Sequence, residues 1–303
     1  MQTSAENVFV LSILIGSLLI GACGGSEKED DGPEDVDSGI VVSDAGVTEN
    51  DASVAENDAG IIENDAGTED EPPVYISIPA GSFVLSHGTA LYNEGDTVTL
   101  SAFALKKTPV TVAEFEKCVA AGKCSSKNYK TVSDLNYCNY NRGADWKKHP
   151  MNCIDLDGAK EYCEWIGGRV PTEEEWEYAA THNGTKHLDT TYPWGNDAPT
   201  HCATAQYYDS SYCQGNAAAT LSNNTYKGTS DVSLHSPAGD SPLGLVDMSG
   251  NVWEWTTSLY IDGGLPYALK GGSWTTDLGL AIAGRISILS WNQYNDNGVR
   301  CAK

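Results

Sequence analysis

Basic residues are scarce in this chain: 18 Lys and Arg stand against 42 Asp and Glu, a formal net charge of −24 over 303 residues. A protein that binds nucleic acid by neutralising phosphates needs the opposite balance, so that class is excluded. Also missing is an apolar run of the roughly 20 residues needed to cross a bilayer, since Val8–Ile20 is shorter than that. Zinc spacing of the Cys-x-x-Cys kind is absent, as are the Gly-x-Ser-x-Gly elbow of serine hydrolases and a phosphate-binding loop.

The acidity is concentrated. Between Gly24 and Pro73 there are 17 Asp or Glu and one basic residue, Lys28, with no aromatic side chain. A segment this polar cannot bury enough apolar surface to offset about 1–2 kcal/mol of backbone entropy per residue, so disorder is expected. Within it Glu49-Asn50-Asp51-Ala52, Glu56-Asn57-Asp58-Ala59 and Glu63-Asn64-Asp65-Ala66 repeat every seven residues. No apolar seam accompanies the repeat, so it reads as a solvated spacer and not as a coiled coil.

Val8–Ile20 has the length of a signal-peptide core. It ends in Ile20-Gly21-Ala22-Cys23-Gly24, which resembles a bacterial lipobox. That resemblance implies a lipoprotein signal peptide over 1–22, lipidation of Cys23 and an acidic tether over 23–73. With Gly24 and Gly25 after the Cys, and no Asp, it implies an outer-membrane address in the cell envelope, held there by the lipid anchor only. Export suits the remaining cysteines. Cys118, Cys124, Cys138, Cys153, Cys163, Cys202, Cys213 and Cys301 form an even set, which reads as four disulfides; counting leaves 105 pairings open.

Order is expected from Val74 onward. Tyr75–Leu85 alternates as strand, turn, strand, and Thr97–Leu105 is another alternating run. Three helices carry start signals: Thr111 with Glu114, Asp157 ahead of Ala159, Tyr162, Cys163 and Ile166, and Thr172 with Glu175 after Pro171. Beyond His182 the pattern is irregular and rich in Gly, Asn and Trp, which reads as one domain of low regular structure over 74–303.

Within it Ile78-Pro79-Ala80-Gly81-Ser82-Phe83, Thr108-Pro109-Val110-Thr111, His149-Pro150-Met151-Asn152-Cys153, Gly168-Arg169-Val170-Pro171-Thr172-Glu173-Glu174-Glu175-Trp176, Tyr192-Pro193-Trp194-Gly195, Gly250-Asn251-Val252-Trp253-Glu254-Trp255, Lys270-Gly271-Gly272-Ser273-Trp274 and Gly298-Val299-Arg300-Cys301-Ala302 stand in order. Together they resemble the formylglycine-generating enzyme, or sulfatase-modifying factor, family. The resemblance implies an α+β fold, a variant of the C-type lectin fold, stapled by disulfides. It implies a Cys163–Cys301 bridge; Cys202 with Cys213, Cys124 with Cys138 and Cys118 with Cys153 complete the expected set.

The same resemblance locates chemistry. The family's enzymes hold copper(I) on two thiolates and oxidise a substrate cysteine to formylglycine. Here those positions are Thr276 and Ala281, neither of which has a thiol, so copper is not expected. Trp253 and Ser273, which line the family's oxygen pocket, remain. Asp247, Gly250, Val252 and Glu254 match a family calcium site, the expected structural cofactor, with hard carboxylate and carbonyl oxygens. In the family's other calcium site, Gln206 stands where Asn is expected and Asp231 lies out of register. The functional expectation is a non-catalytic binding or scaffold module for an envelope protein, peptide or glycan. The alternative is a sulfatase-maturing oxidoreductase acting on protein cysteine.

Overall fold

The computed structural model describes residues 72–200, 203–207, 228–261, 264–277 and 279–303. The leader 1–22, the lipidation residue Cys23, the tether as far as residue 71, and Cys202 and Cys213 lie outside the described residues.

The first alternating run divides into β1 (Tyr75–Ile78) and β2 (Gly81–Val84), and the second into β3 (Thr97–Leu100) and β4 (Phe103–Lys106). They do not pair in chain order. β2 pairs with β3 and β1 with β4, both antiparallel, so one ladder follows the other outward. The second sheet has the order β7-β6-β5-β8, built from β5 (Trp253–Leu259), β6 (Tyr267–Lys270), β7 (Arg285–Ile288) and β8 (Asn297–Gly298). β8 runs parallel to β5, and the other two pairings are antiparallel.

Helices α1 (Val112–Ala120) and α3 (Glu173–Thr181) begin with complete capping boxes, Thr111 with Glu114 and Thr172 with Glu175. Helix α2 (Leu156–Trp165) starts two residues earlier than its sequence signal. The cap is Asp155, whose Oδ1 accepts from Gly158 N at 2.9 Å, and Asp157 falls in the first turn. An aspartate one residue before the apolar stripe offers the same composition as one at its start, which is why the sequence alone misplaces the cap.

Two clusters form the core. One packs α1 and α2 against the second sheet through Phe115, Tyr162, Trp255 and Val299. The other packs the nested strands on α3 through Ile78, Phe83, Leu105 and Trp176.

Three disulfides close the described residues. Cys163 joins Cys301 across 138 residues, tying α2 to the chain beyond β8. The other expected pairs are corrected: Cys118 bonds Cys124 and Cys138 bonds Cys153, in place of Cys124 with Cys138 and Cys118 with Cys153. The reason is local backbone geometry. After α1 the chain reverses at Gly122, in the left-handed region at φ 67°, which brings Cys124 back to a Cα separation of 5.4 Å from Cys118. Asn152 then clamps the other pair: its Oδ1 accepts from Asn139 N at 2.7 Å and its Nδ2 donates to Tyr137 O at 2.8 Å.

Candidate functional site

β6 ends in Gly271 and Gly272, both left-handed at φ 97° and 77°. A Cβ on Gly271 would lie 3.1 Å from the Trp176 ring, and one on Gly272 would lie 2.8 Å from Leu280. Only glycine allows the chain to leave the sheet there, and it delivers Ser273 to a fully buried position. Ser273 Oγ donates to Asp296 Oδ2 at 3.1 Å, Thr275 Oγ1 donates to the same oxygen at 2.7 Å, and the two hydroxyls are 2.9 Å apart. Trp274 Nε1 donates to Asn295 O at 3.2 Å, with its ring 5.4 Å from that of Tyr137. Trp253 is buried at the start of β5, and Gly279 approaches its ring so closely that a Cβ would stand 2.2 Å from it.

Ser273 and Trp253 are thus parts of one neighbourhood. Thr276 follows, half-buried, its N–H donating to Ser273 O at 3.4 Å; Ala281 O accepts from Gly284 N at 2.7 Å. The remaining donors are hydroxyls and one carboxylate, and all six described cysteines besides are in disulfides. A soft copper(I) ion does not fit this set.

Calcium meets a similar test at the first expected site, with a different outcome. Glu254 is fully engaged: Arg300 Nε and Nη2 donate to its carboxylate at 2.8–3.2 Å, and Trp176 Nε1 donates to Oε2 at 2.7 Å. Arg300 is itself fully buried and spends its other donors on the carbonyls of Lys106, Lys107 and Val246. The carboxylate's charge is already neutralised, so Asp247, Gly250, Val252 and Glu254 do not form one calcium site. Asp247 is a separate group. It accepts from Ser233 N and Asn251 Nδ2, both at 3.3 Å, and burial raises its carboxyl to about 6 against the hydrogen bond from Asn251 and the charge of Arg300. Gly250 N donates to Gly271 O at 2.7 Å, so it serves the turn that carries Ser273.

Buried oxygens without a hydrogen bond stand in the neighbouring loop. Among the described residues Gln206 Oε1 and Ser230 Oγ have none, and Asp231 Oδ1 lies 3.2 Å from His149 Nε2. Asn251 links them, donating from its N–H to Gln206 O and accepting from Ser230 N. Among the described residues no three His, Cys, Asp or Glu side chains converge as metal ligands.

Sequence reasoning missed a second polar centre under helix α3. All nine α3 residues are buried, including Glu173, Glu174, Glu175 and Glu177. Glu173 pairs with Arg285 through two hydrogen bonds of 2.8 Å, and Arg169 takes Glu175 outside. Glu177 accepts from Ser86 N and Oγ and lies 2.7 Å from His87 Nε2 and 3.4 Å from Lys270 Nζ. Lys270, fully buried, also donates to Ile282 O at 2.7 Å. Burial alone would raise the Glu177 carboxyl, but His87 and Lys270 hold it down at about 2; burial pushes Lys270 below its ordinary value. The available signal was the run Glu173-Glu174-Glu175-Trp176-Glu177-Tyr178. Carboxylates on every side of a helix that also carries Trp and Ala-Ala leave no apolar stripe, so they must be paired inside.

Comparison with known proteins agrees with this architecture. The model of the sulfatase-modifying factor enzyme 1-like domain matches residues 62–303. The inactive C-alpha-formylglycine-generating enzyme 2 of Bos taurus is 35% identical over 160 residues, 50% of this chain and 50% of the relative. The formylglycine-generating enzyme of Mycobacterium tuberculosis is 29% identical over 235 residues, 60% of this chain and 73% of the relative. The match thus spans about half the length of the first of these relatives. Among solved structures, PvdO from Pseudomonas aeruginosa superposes with a TM-score of 0.54 at 20% identity, covering 76% of this chain and 94% of that one, a likeness of fold. With the family match over residues 62–303, the ordered motifs and the Gly271-Gly272-Ser273 turn, the chain belongs to the sulfatase-modifying factor enzyme 1-like domain family.

Proposed function

We propose that this domain is a non-catalytic member of its family, a binding or scaffold module of the bacterial cell envelope. One observation carries the reading: the loop that bears the family's two copper thiolates offers Thr276 and Ala281, and the described cysteines are committed to disulfides. A hydroxyl and a methyl cannot hold copper(I), whatever the surrounding Ser273 and Trp253 retain. The relative named as inactive is consistent with this, while the named enzyme keeps the sulfatase-maturing oxidoreductase as the alternative.

In the same proposal the domain is lipid-anchored to the outer membrane through Cys23, and its partner is an envelope protein, a peptide or a glycan. A structural calcium ion stays in the proposal as the expected cofactor, with Glu254 left to Arg300.

The test incubates the wild-type protein with copper(I), oxygen, a reductant and a Cys-x-Pro-x-Arg peptide, and follows the peptide mass. No formylglycine above a protein-free control is expected; its appearance would establish the alternative. Cys23→Ala should release the protein from membranes, and a mature N-terminus without a lipid mass would remove the anchor from the proposal.

A further inference from the structure

A cavity of about 670 Å³ opens beside β2 and α3. Its size is that of a small-molecule site. Ser82 and Val84 of β2 face outward into it while Phe83 packs inward beneath. Gly81 makes the wall possible, because a Cβ there would collide with Tyr178 Oη at 2.3 Å.

The opposite wall is the loop from His182 to Thr190, and it is built firmly. Asn183 Oδ1 accepts from Thr185 N, Thr185 Oγ1 and Lys186 N, Asn183 N donates to Lys186 O, and Leu188 N donates to Thr181 O. The effect is to present Lys186, His187, Asp189 and Thr190 to one space. The His187 ring lies 5.0 Å from Phe83 and parallel to Tyr178, and its Nε2 is sealed from solvent with no hydrogen-bond partner among the described residues. The side chains of Lys186 and Asp189 are exposed and have no hydrogen-bond or ion-pair partner among the described residues.

The polar groups on offer decide the ligand class. An anion calls for donors alone and a cation for acceptors alone. The lining mixes them: a donor at Lys186, an acceptor at Asp189, and hydroxyls at Ser82, Thr185 and Thr190, whose bonds to Thr99 Oγ1, Asn183 Oδ1 and Tyr192 O leave lone pairs to accept. Their charges cancel, and behind them the Glu177 carboxylate is already neutralised by Lys270. Val84, Leu85 and Ile282 add apolar lining, and Ser86 faces it already bonded to Glu177. Donors and acceptors beside apolar lining match a ring whose edge is hydroxyls and whose face is C–H.

We propose that the cavity between β2 and the His182–Thr190 loop binds an uncharged saccharide. This rests on the reading of the domain as a binding module, and it deepens that reading by naming a ligand class and a place.

The test titrates the protein with glucose, galactose, mannose, N-acetylglucosamine and chitobiose, following the ring signals of Phe83, Tyr178 and His187 by NMR, with the Trp274 indole as a distant control. Saturable shifts of the three rings by at least one sugar are expected, with Trp274 unmoved. Asp189→Asn should weaken that sugar at least about tenfold, the loss of one good polar contact, and Val84→Trp, at an exposed strand position, should block the mouth with the fold retained. No saturable shift at up to about 10 mM sugar, or shifts confined to Trp274, would overturn the proposal. So would preferential binding of glycine or of a charged sugar. Formylglycine formation in the copper assay would instead sink the non-catalytic reading, and the sugar titration would still decide the cavity.

Discussion

The two polar centres on either side of β6 are built on opposite principles. Beneath α3, Glu173, Glu177 and Lys270 are buried ions and Arg285 is half-buried, each held by several partners. Beyond Gly272, Ser273, Thr275 and Asp296 share short hydrogen bonds at an edge where Thr275 is exposed. The loop carrying Thr276 and Ala281 is fastened from the first centre, by Lys270 on Ile282 O and by Arg285 on Glu173. The difference separates a scaffold fixed by buried ion pairs from a loop end held by hydroxyl hydrogen bonds.

The sharpest way to test that contrast is at the buried end. Arg300→Met leaves Glu254 as an unpaired charge in the core and should destabilise by about 3–5 kcal/mol in denaturant unfolding, with Arg300→Met/Glu254→Met recovering much of the loss. A loss below about 1 kcal/mol would mean that the ion pair is not what fastens β8 to β5. Next comes proton linkage at Glu177. Its carboxyl is lower folded than unfolded, so its contribution is present above the unfolded value of 4.5 and is lost as pH falls through about 2. The stability gap between wild type and Glu177→Gln should therefore narrow by about 3 kcal/mol between pH 4.5 and 2; a constant gap would deny the coupling. The smallest effect belongs to the open end. Thr276→Cys/Ala281→Cys should shift stability by no more than about 0.5 kcal/mol, as half-buried loop changes do, and a large loss would show that this loop is structural after all.

Much of this molecule is legible from its residues, wherever the signal is local. The capping boxes at Thr111 and Thr172 announce two helices because the partner lies three residues away. The Ser273 neighbourhood was reachable through Gly271-Gly272, since consecutive glycines leave few conformations to consider. What stayed hidden depends on distance along the chain. β1 finds β4 and not its neighbour β2, which no alternation pattern encodes. Glu254 looked like a cation ligand because its partner, Arg300, is 46 residues away. The Cys118–Cys124 bridge escapes for the opposite reason: a tight reversal at Gly122 makes a six-residue separation bridgeable.

The residues after β8 have a consequence for how the molecule comes into being. Ala302 bridges both Leu105 and Arg169, and Ala104 N donates to Lys303 O, so this stretch lies between segments laid down far earlier. Cys301 is at the same time the partner of Cys163. A chain emerging N-terminus first must therefore keep β4, the Arg169 turn and a reduced Cys163 waiting until residues 300–303 arrive. Closing contacts of such sequence separation is slow, and in the interval the apolar faces meant for them stay open to other chains.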